Sequence, residues 1–128
     1  GTDNYECRLG LMKSTGNDGV YFKVLYASPS LGNLVQAVCA NGASTSSITT
    51  TIQDKGANRI WRAYRIEIGK DGAGQLEARF FVDGTYLGSL PSSYIPTSPL
   101  LGGLKVEWLA GVADKGLLVD YFQHQVTT

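Results

Sequence analysis

The acidic residues of this 128-residue chain are the first place to look for chemistry. Hydrolysis of a glycosidic bond needs two carboxyl groups about 5 to 9 Å apart across a cleft, one of them shielded enough to stay protonated. On a strand, alternate spacing such as E-x-D-x-x-E aims several acids at one cleft, and no such run occurs. Glu67 instead lies two residues from Arg65, and Glu77 two residues from Arg79. That repeat predicts outward charge pairs across neighbouring strands. The single histidine, His124, sits near the carboxyl terminus, where few partners for a triad or a zinc site are at hand. Serines such as Ser92 and Ser93 lie in a Pro-rich loop with no base nearby in sequence, and no G-x-S-x-G is present. The glycine-rich GKDGAG (69–74) joins two strands and opens no helix, so it reads as a hairpin loop and not as a phosphate cradle. Asn17, Asp18, Asp3 and Asp54 are the residues that could gather around calcium, but they lack EF-hand spacing, and the expectation is a chain without cofactor or metal.

Aromatic side chains point to binding instead, because sugar rings stack on Tyr and Trp faces while polar loops supply hydrogen bonds. Trp61, Trp108, Tyr26, Tyr86, Tyr94 and Phe81 are the candidates, each set against core packing as the alternative. Alternation makes Trp108 a core residue alongside Val106 and Leu104. Tyr86 and Tyr94 fall in or beside loops and read as exposed platforms. The expected contact residues are Tyr86, Tyr94, Trp61 and Arg65, supported by the loop residues Asn17, Asp18 and Asn33.

The elements that must position these residues are strands. Sixteen glycines and clusters of Ser, Thr, Asn and Asp punctuate short β-branched and aromatic stretches. Strands are predicted near Tyr5–Met12, Val20–Tyr26, Leu34–Ala40, Ser47–Gln53, Arg62–Ile68, Leu76–Val82, Tyr86–Leu90, Leu104–Leu109 and Leu117–Gln123. No window shows helical apolar spacing free of Gly, and short strands at this interval favour a sandwich over a barrel. In the first strand Tyr5, Cys7, Leu9 and Leu11 are expected inward, with Glu6 and Arg8 on a wet face. Tyr64, Ile66 and Ile68 form the next inward set, followed by Leu76, Ala78, Phe80 and Val82, which leaves Phe81 outward. Loops are expected at 14–19, 27–33, 41–46, 69–74 and 91–99. Asp83-Gly84 suits a two-residue hairpin turn, since both central positions need positive φ.

Length sets one domain over residues 1–128, with 43% hydrophobic and 17% charged residues. Lys plus Arg and Asp plus Glu stand at 11 each, so no net field draws in nucleic acid or an anionic membrane. No apolar run approaches the roughly 18 residues of a membrane span. The start at Gly1 is consistent with a mature product or with an excised or C-terminal part of a longer protein. Cys7 and Cys39 leave a disulfide or two buried thiols open, with buried thiols the expected state.

The order WRAYRIEI (61–68), RFFVDGTYLGS (79–89), IPTSPL (95–100) and LLVDYF (117–122), with GVYFK (19–23), resembles the concanavalin A-like lectin/glucanase superfamily. More closely it is similar to the non-catalytic versions in bacteriophage tail-fibre and other virion proteins. The likeness runs from about Tyr5 to Phe122 and is most specific from Trp61 onward. It implies an all-β, two-sheet antiparallel jelly-roll sandwich, one sheet curved so that its concave face can hold a glycan. The acid pair of the glucanase members is missing, which implies binding without hydrolysis. Strands that usually precede the equivalent of Tyr5 are absent, and an edge left open in this way implies a homo-oligomer such as a trimer. The expectation is a virion or extracellular domain that binds carbohydrate or a host-surface glycan. Two alternatives are a structural virion module without sugar binding and a carbohydrate-binding module of a secreted glycoside hydrolase.

Overall fold

A computed structural model describes residues 4–13, 16–26, 34–53 and 61–110, with backbone alone at 4, 5, 25, 26, 53 and 104–110. The predicted strand Leu117–Gln123, His124, Asn33 and the 27–33 loop lie outside the described residues, as do Asp3 and Asp54. Among the described residues there are eight strands: β1 (Asn4–Met12), β2 (Gly19–Tyr26), β3 (Leu34–Asn41), β4 (Ser44–Gln53), β5 (Tyr64–Lys70), β6 (Leu76–Val82), β7 (Thr85–Pro91) and β8 (Leu101–Ala110). A single 3₁₀ turn, Ser92–Tyr94, follows β7. Every strand pairing is antiparallel. One sheet has the order β4-β3-β2-β1-β8 and the other β5-β6-β7.

The two sheets share one core. Val20, Phe22 and Val24 of β2, Val35, Ala37 and Cys39 of β3, and Cys7 of β1 meet Ala78, Phe80 and Val82 of β6, Leu90 of β7 and Ile95. Phe22 joins the layers: its ring lies edge-on to Phe80 at 5.4 Å and tilted against Tyr64 at 5.0 Å. Strand alternation dictates this set, since the period of two sends Phe80 and Val82 inward and Phe81 outward. The chain between β6 and β7 also behaves as its residues require. Asp83 (φ 51) and Gly84 (φ 80) form a two-residue turn with both central φ positive. The Asp83 carboxylate accepts from the Ala63 amide at 2.8 Å and from Arg62 at 3.2 Å, and the Asp83 amide donates back to the Ala63 carbonyl. Those bonds hold residues 62 and 63 beside the turn, and β5 accordingly begins at Tyr64, later than the expected Arg62.

The wet face expected for the first strand is not observed. Glu6 and Arg8 are only 8% and 7% exposed. β1 is an inner strand, flanked by β2 and β8, and its polar side chains lie in a second covered layer with Met12, Tyr21 and Val38. β8 lies along the flank of β1 opposite β2. Two inward residues depart the other way: Ile68 and Leu76 are 39% and 46% exposed, near the end of the β5–β6 pair that closes on the 71–75 loop. The polar run expected as a 41–46 loop is mostly strand, because β3 and β4 are joined by the two residues Gly42 and Ala43 alone, with β4 starting at Ser44.

Cys7 and Cys39 are buried and not joined by a disulfide. Cys7 lies opposite Val24 on β2 and Cys39 opposite Val20 on the same strand. Two strand spacings and a four-residue offset separate the two by roughly 16 Å, beyond disulfide reach.

Gly10 is required where β1 runs beside β2, opposite Tyr21. Its φ is 150°, and a β-carbon there would approach the Val20 carbonyl oxygen to 2.5 Å and the Tyr21 α-carbon to 2.8 Å. Both neighbours are backbone and cannot swing aside. Gly10→Ala is therefore expected to destabilise the fold by roughly 2–4 kcal/mol from strain and overpacking. A urea midpoint unchanged from wild type would contradict this close approach.

Candidate functional site

The outer face of the three-stranded sheet brings together the residues best suited to contact. Register places Arg65, Phe81 and Tyr86 in one row across β5, β6 and β7. The Arg65 guanidinium lies 4.1 Å above the Phe81 ring, and the Tyr86 ring is tilted against the other side of Phe81 at 5.4 Å. Phe81 is half-buried between them, while Tyr86 remains 53% exposed. The result is an exposed phenol ring beside a cation placed over an aromatic ring.

The next rows carry a chain of alternating charge. Arg65 approaches Glu67 at 3.5 Å, Arg79 approaches Glu67 at 3.6 Å, and Arg79 donates to Glu77 at 2.9 Å. The charges face outward as the two-residue repeats predict, but only Arg79–Glu67 pairs across neighbouring strands, and the other two pairs lie within one strand. Solvent-facing pairs of this kind contribute little to stability.

Trp61 precedes β5 and is 66% exposed. Tyr94 is not the exposed platform expected of it. The 3₁₀ turn lays it against the core cluster and packs on β3, β4 and β6, leaving it half-buried. Ile95 and Pro96, from the same Pro-rich loop, are buried beside it.

Asn17 and Asp18 belong to the other sheet. The Asn17 side-chain oxygen accepts from Arg8 at 2.9 Å, and its carbonyl accepts from the Tyr21 hydroxyl at 3.0 Å. Asp18 accepts from the Gly42 amide at 2.9 Å and pairs with Lys13 at 3.3 Å, tying the β1–β2 connection to the β3–β4 turn. The core thus separates these two residues from Arg65 and Tyr86. The Asn17 oxygens are taken by Arg8 and Tyr21, and Asp18 holds one connection to another.

A polar network on the outer side of the five-stranded sheet joins residues that the sequence places on a wet face. Arg8 donates to Glu6 at 2.6 Å and lies over the Tyr21 ring at 4.9 Å, while Lys23 stands 3.8 Å from Glu6. Burial, partly offset by Arg8, pushes the Tyr21 hydroxyl above its ordinary range, so it stays a donor. The signal available was the matching parity of Glu6, Arg8 and Lys23 across one strand pair, which marks a cross-strand cluster.

The chemistry of the described acids is that of paired groups. Glu6, Asp18, Glu67, Glu77 and Asp83 each hold a cation, and Asp71 accepts from the Ala73 and Gln75 amides within its own turn. Burial pushes the Cys39 thiol up to about 12, which keeps it protonated and a poor nucleophile at neutral pH. Among the described residues no group of three His, Cys, Asp or Glu is placed to hold a metal ion.

The class these observations define is an all-β chain of two antiparallel sheets, five and three strands, in a sandwich-like arrangement. No family model, no curated protein and no solved structure matches the chain.

Proposed function

We propose that this chain is a non-catalytic β-sandwich domain of a phage or bacterial surface structure, of the concanavalin A-like jelly-roll type, that holds carbohydrate on the outer face of its three-stranded sheet. The observation that carries this reading is the row Arg65, Phe81 and Tyr86, with an exposed ring for a sugar face and a guanidinium over Phe81 for its hydroxyl or carboxylate groups. Trp61 supplies a second exposed ring near the start of the same sheet. The site works by holding, in a virion or extracellular setting, without cofactor.

A glycan array on the purified chain, followed by titration calorimetry on any sugar that binds, tests the reading. Tyr86→Ala is expected to weaken such binding about tenfold, near the upper end of a single stacking contact, while leaving the melting temperature close to wild type. Unchanged affinity in that variant moves the sugar off this face. Silence on every glycan favours the second reading, a structural virion module, for which the uncharged strand β4 is the specific support.

A further inference from the structure

Strand β4 closes one side of the five-stranded sheet among the described residues, and its composition is unusual for that position. Natural edge strands are blunted by Lys, Pro, inward charge or short length. Ser44–Gln53 carries no charged residue, no Pro and no Gly over ten residues. Its one irregularity, a register shift against Leu34 to Gln36, lies beyond Thr49 and leaves 44–49 regular.

The pairing with β3 determines which main-chain groups face outward. Asn41 pairs with Ser44 across the two-residue turn, then Cys39 with Ser46 and Ala37 with Ile48. In an antiparallel hairpin closed this way, Ser44, Ser46 and Ile48 exchange hydrogen bonds with β3, and the amide and carbonyl groups of Thr45, Ser47 and Thr49 point away from it. The side chains of Thr45, Ser47 and Thr49 are exposed as well. They form a short row of hydroxyls, with Gln36 donating to the Thr49 hydroxyl at 3.2 Å.

We propose that β4 pairs antiparallel with β4 of a second copy of this chain about a two-fold axis through Ser47. Thr45 then lies opposite Thr49 of the second copy, Ser47 opposite its own counterpart, and Thr49 opposite Thr45. The three hydrogen-bonded pairs exchange roughly six main-chain bonds and join two five-stranded sheets into one. The occupant is a second copy because an uncharged, hydroxyl-bearing strand is complementary to itself, whereas a charged peptide would find no counter-charge along it. A two-fold contact is self-closing, so the assembly stops at a dimer. The pairing requires no ligand and is independent of the carbohydrate reading.

Six residues of edge make a small contact beside the roughly 1,200–2,000 Å² of stable complexes, so the dimer is expected to dissociate on dilution. Sedimentation equilibrium across a wide concentration range is expected to show the mass rising from 13.7 kDa towards twice that value. Ser47→Lys, which sets two ammonium groups against each other at the axis, is expected to hold the mass at 13.7 kDa with an unchanged circular dichroism spectrum. Ser47→Cys is expected to form a covalent dimer under mild oxidation, since paired α-carbons about 5.5 Å apart lie within disulfide reach, and Thr45→Cys is not. A wild-type chain that stays monomeric throughout, a trimer, or a dimer indifferent to Ser47→Lys overturns the proposal. So does equal crosslinking of Ser47→Cys and Thr45→Cys, a comparison that stands even if the lysine variant fails to fold.

Discussion

Phe80→Ala is expected to lower the stability of the chain by about 3–5 kcal/mol, a large share of the roughly 5–15 kcal/mol of an ordinary domain. Phe80 is fully buried, edge-on to Phe22, in the layer where β6 meets β2. Truncation removes both the transfer free energy of the ring and the contacts of its neighbours. Ala78 and Val82 beside it are fixed by the β5–β6–β7 ladder and cannot collapse into the gap. Denaturant titration, monitored by tryptophan fluorescence and far-ultraviolet circular dichroism, measures the loss. A cost below 1 kcal/mol would mean that the sheets do not share this core.

Arg8→Ala is the second large effect, about 3 kcal/mol or more, and it arises from charge rather than volume. Arg8 is the principal partner of Glu6, and both are buried. Its removal leaves the carboxylate with Lys23 alone at 3.8 Å, strips the Asn17 side chain of its donor and uncovers the Tyr21 ring. The decisive comparison is Glu6→Gln with Arg8→Met in one chain. Replacing both ions with groups of similar volume is expected to cost much less than Arg8→Ala, because no unpaired charge is left under the sheet. Equal losses in the two variants would show that Arg8 acts through packing of its stem.

The two faces of the molecule therefore do different work. The outer layer of the five-stranded sheet uses its ions internally, with Glu6, Arg8, Asn17 and Asp18 bonded to one another or to neighbouring backbone. The outer face of the three-stranded sheet keeps Arg65 and Tyr86 at the surface. Asn17 and Asp18 looked in sequence like binding-loop residues because Asn and Asp in a Gly-rich turn suit either role. What separates the roles is whether their oxygens already have donors, and here they do.

Local rules of the polypeptide were legible along the chain. Period-two alternation determined that Phe80 and Val82 share a face and that Phe81 takes the other. The Asp83-Gly84 pair determined its own turn, because few residue pairs accept two positive φ angles. The doublets Arg65 with Glu67 and Glu77 with Arg79 determined which charges share one sheet face, while the pair across strands, Arg79 with Glu67, came from the register of β5 and β6. Alternation says which side chains are companions, not whether their face is covered. Coverage depends on which distant strand lies alongside, and that is decided by pairing between remote segments. Only the tertiary structure set β1 between β2 and β8 and so buried Glu6 and Arg8, carried Ile68 and Leu76 to an exposed sheet end, and folded Tyr94 against the core. Those outcomes rest on burial and dielectric environment, which are properties of the packed whole and not of any short stretch of residues.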